Sequence, residues 1–295
     1  MYIKNLRLKN YRNYKEINVF FDPNINIIYG NNAEGKTNLL EAISLCATAR
    51  SHKNSKDNEI INFEEKEAHI KLFLEEEKKE SKINVIDIQL NRDIKKGIAL
   101  NGIKVEKLSS FLGILNVVLF SPEDLNIIKE GPIVRRKFLD MELCQTDKLY
   151  VSSITNYNKI LGERNTLLKD INQTNLSNQK ELINLLDTYD EELIKYGLEV
   201  IKKRKDNIKE LSKKISDIYY KISGEKEKIK IDYENDVMTN DELSLKENYK
   251  RQLFSSRDID IKNQYTGIGP HRDDISFIVE NNDLRKFGSQ GQKKS

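Results

Sequence analysis

The eight residues Gly30-Asn31-Asn32-Ala33-Glu34-Gly35-Lys36-Thr37 constrain this chain more than any other feature. They fit the pattern G-x-x-x-x-G-K-[ST] in full. Gly30 and Gly35 permit backbone conformations that turn successive N–H groups inward and make an anion nest. The nest opens onto the N-terminus of a following helix, whose dipole favours phosphate. Lys36 is suited to reach β- and γ-phosphates as a point charge, and the Thr37 hydroxyl to ligate magnesium. The flanks agree with this reading. The apolar run INIIY at 25–29 predicts a buried central strand, and TNLLEAISLCAT at 37–48 carries Leu39, Leu40, Ile43 and Ala47 at helical spacing. Strand, phosphate loop and helix imply an α/β domain that binds a nucleoside triphosphate. They do not say what the nucleotide drives.

Composition excludes some alternatives. Hydrophobic residues make up 38% of the 295 and charged residues 33%, so the chain can hold a sizeable core but also needs long solvated elements. No run approaches the ~20 apolar residues that span a bilayer, and residues 1–10 hold no apolar signal segment. These points predict a cytoplasmic protein with no membrane contact. The formal charge of +3 is near balance and marks no nucleic-acid binder unless basic residues cluster. Cys46 and Cys144 form no CxxC pair and read as reduced, buried thiols.

Further along, residues 69–75 and 83–90 alternate in polarity, and Asn101-Gly102 separates two apolar runs. Asn-Gly in that position predicts a hairpin, because a type I′ turn needs positive φ at both residues. An antiparallel sheet is therefore expected beside the loop. The run NVVLF at 116–120 predicts a second buried strand. It leads into Ser121-Pro122-Glu123-Asp124, a helix-cap pattern with two acids at the positive helix end. From about 140 to 224 the chain reads helical, with two narrow apolar stripes, over 182–200 and 208–222, as in a short coiled coil, and with a polar turn between helices within 172–180. Residues 229–265 show little period. A strand is expected over 275–279.

Other blocks narrow the class. Asn10-Tyr11-Arg12-Asn13-Tyr14, then the phosphate loop, then Asn38-Leu39-Leu40-Glu41-Ala42-Ile43 resemble the start of the SMC-like and RecF branch of the ABC-type ATPases. Ala49-Arg50-Ser51-His52-Lys53, the run 118–125, Arg135-Arg136-Lys137-Phe138-Leu139-Asp140 and Gly269-Pro270-His271-Arg272-Asp273-Asp274 resemble RecF sequences in the same order, and Ser289-Gln290-Gly291-Gln292 resembles the RecF form of the ABC signature. The resemblance covers the whole chain.

It implies an α/β fold: an ABC-type P-loop ATPase head with a mixed sheet and an antiparallel β subdomain, plus a helical, coiled-coil-like second lobe. The boundaries it implies are 1–139 for the head, 140–255 for the helical lobe and 256–295 for the return to the head. It implies ATP and Mg2+ as cofactors and an ATP-dependent homodimer that clamps single-stranded, gapped or junction DNA. RecO and RecR would be partners in recombinase loading, in recombinational repair, replication restart and SOS induction. On this resemblance Gly30 to Asn38 and Arg12 contact ATP, Thr37 the metal, and Ser289, Gln290, Gly291 and Gln292 the partner's ATP. An ABC-type motor of a membrane transporter, or a non-hydrolysing ATP-binding scaffold, is the alternative. A transporter motor calls for a Gln in the 121–124 segment, which has none.

Two segments keep two readings each. Glu123 or Asp124 contacts magnesium or its water, or the segment is a plain helix cap. His271 senses phosphate or joins the dimer contact, or 269–274 is a turn held by Pro270 and Asp273. DNA candidates are the basic residues Arg50, Lys53 and Lys56 after the first helix, and Lys203 and Arg204 within the 202–214 cluster. Solvated helix surface is the competing reading for that cluster.

The resemblance also calls for an apolar strand ending in a metal-binding Asp, then a Glu acting on the attacking water. Walker B, D-loop and switch segments do not follow Ser289 in this sequence, so the expectation is a C-terminally truncated member with no catalytic base. Such a chain should bind ATP weakly at best. The purified 295-residue chain is expected to release no inorganic phosphate from ATP in a colorimetric assay, and measurable release contradicts this.

Overall fold

A computed structural model describes residues 1–53, 55–76, 83–121, 124, 126–174, 176–237 and 244–287. The chain divides into two units, residues 1–119 and 120–295.

Alternating polarity builds the first unit. Strands β1 (Tyr2–Tyr11), β2 (Tyr14–Phe20), β3 (Glu67–Glu75), β4 (Ile83–Asn91), β5 (Gly97–Leu100) and β6 (Ile103–Lys104) form one sheet in the order β2-β1-β3-β4-β5-β6. Every ladder in it is antiparallel. Leu6 pairs with Leu72, which pairs with Ile86, and the neighbouring row is Leu8, Ile70 and Ile88. These six side chains are fully or almost fully buried, because a period of two places them on one face. Helix α1 (Lys36–Thr48) buries Leu39, Ala42, Leu45 and Cys46 and packs against β3 and β4. The expected Asn-Gly hairpin joins β5 to β6, with φ of 52° at Asn101 and 81° at Gly102. Short helices α2 (Asp57–Ile60) and α3 (Leu108–Phe111) complete the unit.

Two expectations are corrected. Residues 25–29 and 116–120 are not strands. Ile25, Ile27 and Tyr29 are more than four-fifths exposed, as is Val118, and Phe120 is largely exposed. An apolar run becomes a buried strand only when neighbouring strands satisfy its N–H and C=O groups. Neither run belongs to a described strand ladder.

The second unit is mostly helical, with α4 (Asn126–Lys129), α5 (Pro132–Thr146), α6 (Lys148–Gln173), α7 (Leu176–Ile222), α8 (Leu245–Asn263) and α9 (Leu284–Phe287). Pro132 at N1 starts α5, and the Asp147 carboxylate accepts from the N–H groups of Leu149 and Tyr150 to start α6. The 47 residues of α7 extend about 70 Å at 1.5 Å per residue. It packs along α6, which ends at Gln173, and itself begins at Leu176. Strands β7 (Ile229–Glu234), β8 (Asp274–Val279) and β9 (Asn282–Asp283) form a three-stranded antiparallel sheet against α7. Strand β7 and helix α8 fall in the stretch with little sequence period. The Ser244–Glu247 capping box is the local signal that marks the start of α8. No described helix is long and apolar enough to cross a membrane.

Charged groups are buried inside this unit as well as apolar ones. Arg164 is fully buried and donates from Nε to Asp190 at 2.7 Å and from Nη1 to Asp260 at 2.8 Å, tying α6 to α7 and α8. Nη1 also donates to Thr266 Oγ1. Deleting the cation would leave the buried Asp260 carboxylate without a cation, while Asp190 keeps Arg257. Arg164→Ala is expected to cost about 3–5 kcal/mol, read as a lowered urea midpoint, whereas Lys159→Ala on the exposed face of α6 should change it little.

Candidate functional site: a phosphate loop and its anchors

The phosphate loop is built by positive-φ positions. Gly30, Ala33 and Gly35 have φ of 150°, 68° and 98°, and the helix begins at Lys36. A Cβ on Gly35 would lie 2.6 Å from Asn13 Oδ1 and 2.8 Å from the Tyr14 hydroxyl, so glycine is needed there for close approach as well as for φ. Lys36 Nζ donates to the carbonyl oxygens of Gly30, at 2.8 Å, and Asn31, and so spans the loop mouth. Glu34 closes the loop on itself: its carboxylate accepts from the Asn31 N–H at 2.9 Å and from Asn31 Nδ2 at 2.8 Å. Asn32 and Asn38 are exposed and half-buried positions of the same segment, and Thr37 stands in the first turn of α1.

Asn13 is a site residue to which no role was assigned from sequence. Its Nδ2 donates to the Glu34 carbonyl at 3.1 Å, and its Oδ1 accepts from Asn38 Nδ2 at 2.9 Å. It thereby links the β1–β2 turn to the loop and to the first turn of α1. The Asn10–Tyr14 block contained it.

Arg12, expected on ATP, pairs with Glu41 of α1. It donates from Nε and Nη2 to the two oxygens of Glu41 at 3.0 and 2.6 Å, from Nη1 to the Glu59 carbonyl and from Nη2 to Ser55 Oγ. The Glu41 side chain is fully buried and also accepts from Ser51 Oγ. Burial works to raise the Glu41 pKa. The bonds from Arg12 and Ser51 outweigh it and hold the carboxyl below its ordinary value.

Among the basic candidates, Arg50, Lys53 and Lys56 are exposed. Lys53 lies near the loop, donating to Asn38 Oδ1 at 3.2 Å. Lys203 is partly exposed and paired with Asp147 at 2.6 Å. Arg204 is a correction. Its side chain is 2% exposed, pairs with Asp140 at 2.8 Å and donates to the Pro270 carbonyl at 2.7 Å. Four helical turns of lysine and arginine look alike in sequence, and burial selects this one as a core ion pair. Ser289, Gln290, Gly291, Gln292, Pro122 and Glu123 lie outside the described residues. Asp124 Oδ2 accepts from the N–H and Oγ of Ser121 at 2.6 and 3.0 Å, in keeping with the cap reading of that segment.

The turn leading into β8 is a structural hub. Gly269 has φ of 135°, and a Cβ there would collide with the Tyr157 and Tyr249 hydroxyls. His271 Nε2 donates to the Thr266 carbonyl at 2.9 Å, since that oxygen only accepts. Nδ1 then accepts from the Tyr157 hydroxyl at 2.6 Å. Burial pushes the imidazole down to about 4, against the favourable Thr266 bond and with help from Arg272 and Arg136. His271 is a neutral anchor of the turn.

Phosphate loop, anchored helix and antiparallel sheet define a P-loop ATPase fold. A family model described as an AAA domain matches residues 5–253. The chain belongs to the RecF family of DNA replication and repair proteins. It is 46% identical over 295 residues to the DNA replication and repair protein RecF of Lachnospira eligens and 47% identical to that of Agathobacter rectalis. All of this chain aligns, with 78% and 77% of those proteins. A solved structure of the recombination mediator protein RecF with ATP matches with a TM-score of 0.91 at 35% identity, over 99% of this chain and 77% of that one.

The His271 geometry has a pH consequence. An unfolded imidazole takes its proton near pH 6.5 and the folded one only near 4. Between those values the unfolded state binds more protons, so stability falls as pH falls. His271→Gln should remove about 2–3 kcal/mol of the pH dependence between 6.5 and 4, measured as the difference in urea unfolding free energy between variant and wild type.

Proposed function

We propose that this chain is the nucleotide-binding and DNA-binding part of a recombinational repair clamp. The observation that carries the reading is the loop itself: a positive-φ backbone turning into the N-terminus of α1, with Lys36 across its mouth and Thr37 in the first helical turn. Those residues fit ATP. The N–H groups from Ala33 to Thr37 would hold the phosphates, Lys36 would exchange its carbonyl partners for phosphate oxygens, and the Thr37 hydroxyl would ligate Mg2+. Bound magnesium would neutralise part of the phosphate charge. Asn13 and Glu34 keep the loop in shape, and Glu41 keeps Arg12 and α1 fixed beside it.

The solved relative with ATP supports the choice of nucleotide. On the same family grounds, two copies would dimerise around ATP through Ser289, Gln290, Gly291 and Gln292. The clamp would take single-stranded, gapped or junction DNA and act with RecO and RecR in the cytoplasm. The exposed Arg50, Lys53 and Lys56 are the first lysines and arginines after the loop in sequence, and Lys203 adds a weaker candidate because Asp147 offsets its charge.

Lys36→Ala is expected to lower ATP affinity at least tenfold and to abolish ATP-dependent retention of DNA on a filter. Loss of ATP binding with unchanged DNA retention favours the scaffold reading, and unchanged ATP affinity overturns the nucleotide assignment.

A further inference from the structure

A cavity of about 150 Å3 opens in the second unit, away from the phosphate loop's residues in sequence, lined by α5, α6, α7 and the 269–272 turn. Water occupies about 30 Å3 per molecule in the liquid, so the cavity has room for about five waters. Pockets for whole small molecules start near 300 Å3. Its size suits a single compact group rather than a nucleotide.

The wall is cationic. Arg136, Lys137 and Arg204 face it, against one carboxylate, Asp140, and His271 is held neutral. Asp140 Oδ1 already accepts from Arg204 Nε and Nη2, at 3.1 and 2.8 Å, and from the Tyr150 hydroxyl. Arg204 and Asp140 therefore offset each other. The charge left over is that of Arg136 and Lys137, neighbours on the face of α5 that also carries Ile133 and Asp140. Arg136 is half-buried. Its one hydrogen bond among the described residues runs from Nη1 to the Asp273 carbonyl at 2.6 Å, which leaves Nε and Nη2 without a partner there. Neither Arg136 nor Lys137 makes an ion pair among the described residues. Burial, then the nearby Arg204 charge, push the Arg136 pKa below its ordinary value, against the opposing charges of Asp274, Asp273 and Asp140. The carboxylates near Arg136, those of Asp140, Asp273 and Asp274, are each bonded to other arginines or hydroxyls, so a half-buried guanidinium in direct contact with none of them, beside the Lys137 ammonium, can take an anion brought in from outside. The planar fork of Arg136 suits a tetrahedral oxyanion, and exposed Asn158 adds an amide donor at the rim.

We propose that this cavity is a phosphate-group site, in which Arg136 and Lys137 seat one phosphate, either of a nucleic-acid backbone or free in solution. The backbone source rests on the DNA reading above, and the free source does not.

The experiment uses the full 295-residue chain and Arg136→Gln, Lys137→Ala and Arg136→Lys. Lys137→Ala removes an exposed side chain with no internal bond, so it reports even if Arg136→Gln disturbs the Asp273 contact. DNA affinity is measured across salt concentrations, and melting temperature across inorganic phosphate at constant ionic strength. A backbone site predicts that Arg136→Gln and Lys137→Ala each flatten the slope of log K against log salt by about 0.7–0.9, with Arg136→Lys near wild type. A free-phosphate site predicts a phosphate-dependent rise in melting temperature in wild type that both variants lose. If wild type binds no DNA but shows that phosphate-dependent rise, the DNA reading fails and the cavity assignment stands. If DNA binds with the same salt slope in all variants and phosphate has no differential effect, the cavity assignment is overturned and the DNA reading stands.

Discussion

The Arg12–Glu41 ion pair is the contact on which the nucleotide-binding unit depends. Glu41 is fully buried in the middle of α1, and a carboxylate there is tolerable only because Arg12 meets both of its oxygens and Ser51 supplies a further bond. The same guanidinium reaches the Glu59 carbonyl and Ser55. One side chain at the end of β1 thus fixes α1 and the segment after it. Asn13, the next residue, then lies where it bonds both the loop and the second residue past Lys36. The loop's shape follows from this frame and from its own positive-φ residues. No contact to phosphate is needed to explain it.

The second unit uses the same device with more members. Arg164 joins α6 to α7 and α8, Arg204 joins α7 to α5 and the 269–272 turn, and Arg135 joins α5 to Asp274 at the start of β8. Arg285 continues from Asp274 to Glu234 and Asp283. Such ion pairs add little net stability over apolar packing, but a register error in any helix strands a buried charge, which penalises alternatives strongly. The long α6–α7 pair has many similar apolar layers, so the charges specify which layer meets which.

Local signals made much of this legible in the sequence. The glycine pattern of the loop, the Asn-Gly turn and the two apolar stripes of α7 each encode a backbone conformation within a few residues, and the structure carries all of them. What failed depended on distant partners. The runs at 25–29 and 116–120 have strand composition, but a strand also needs a ladder, and neither run lies in one of the described sheets. Arg204 sits in a lysine- and arginine-rich stretch, and only the packing of α5 and the 269–272 turn distinguishes it from its solvated neighbours. Asn13 was visible as part of a family block, while its role required seeing the β1–β2 turn approach Gly35. Family membership was legible because several blocks occurred in order, which no single motif would have established.

The central claim is that a preformed phosphate loop, shaped by its anchors, binds ATP. Titration of a fluorescent ATP analogue with magnesium into wild type and Asn13→Ala tests it most directly. The account predicts saturable binding at one site per chain, weakened about tenfold in Asn13→Ala while the melting temperature stays within a few degrees of wild type. Equal affinity in the two proteins, or no saturable binding to wild type, would contradict it.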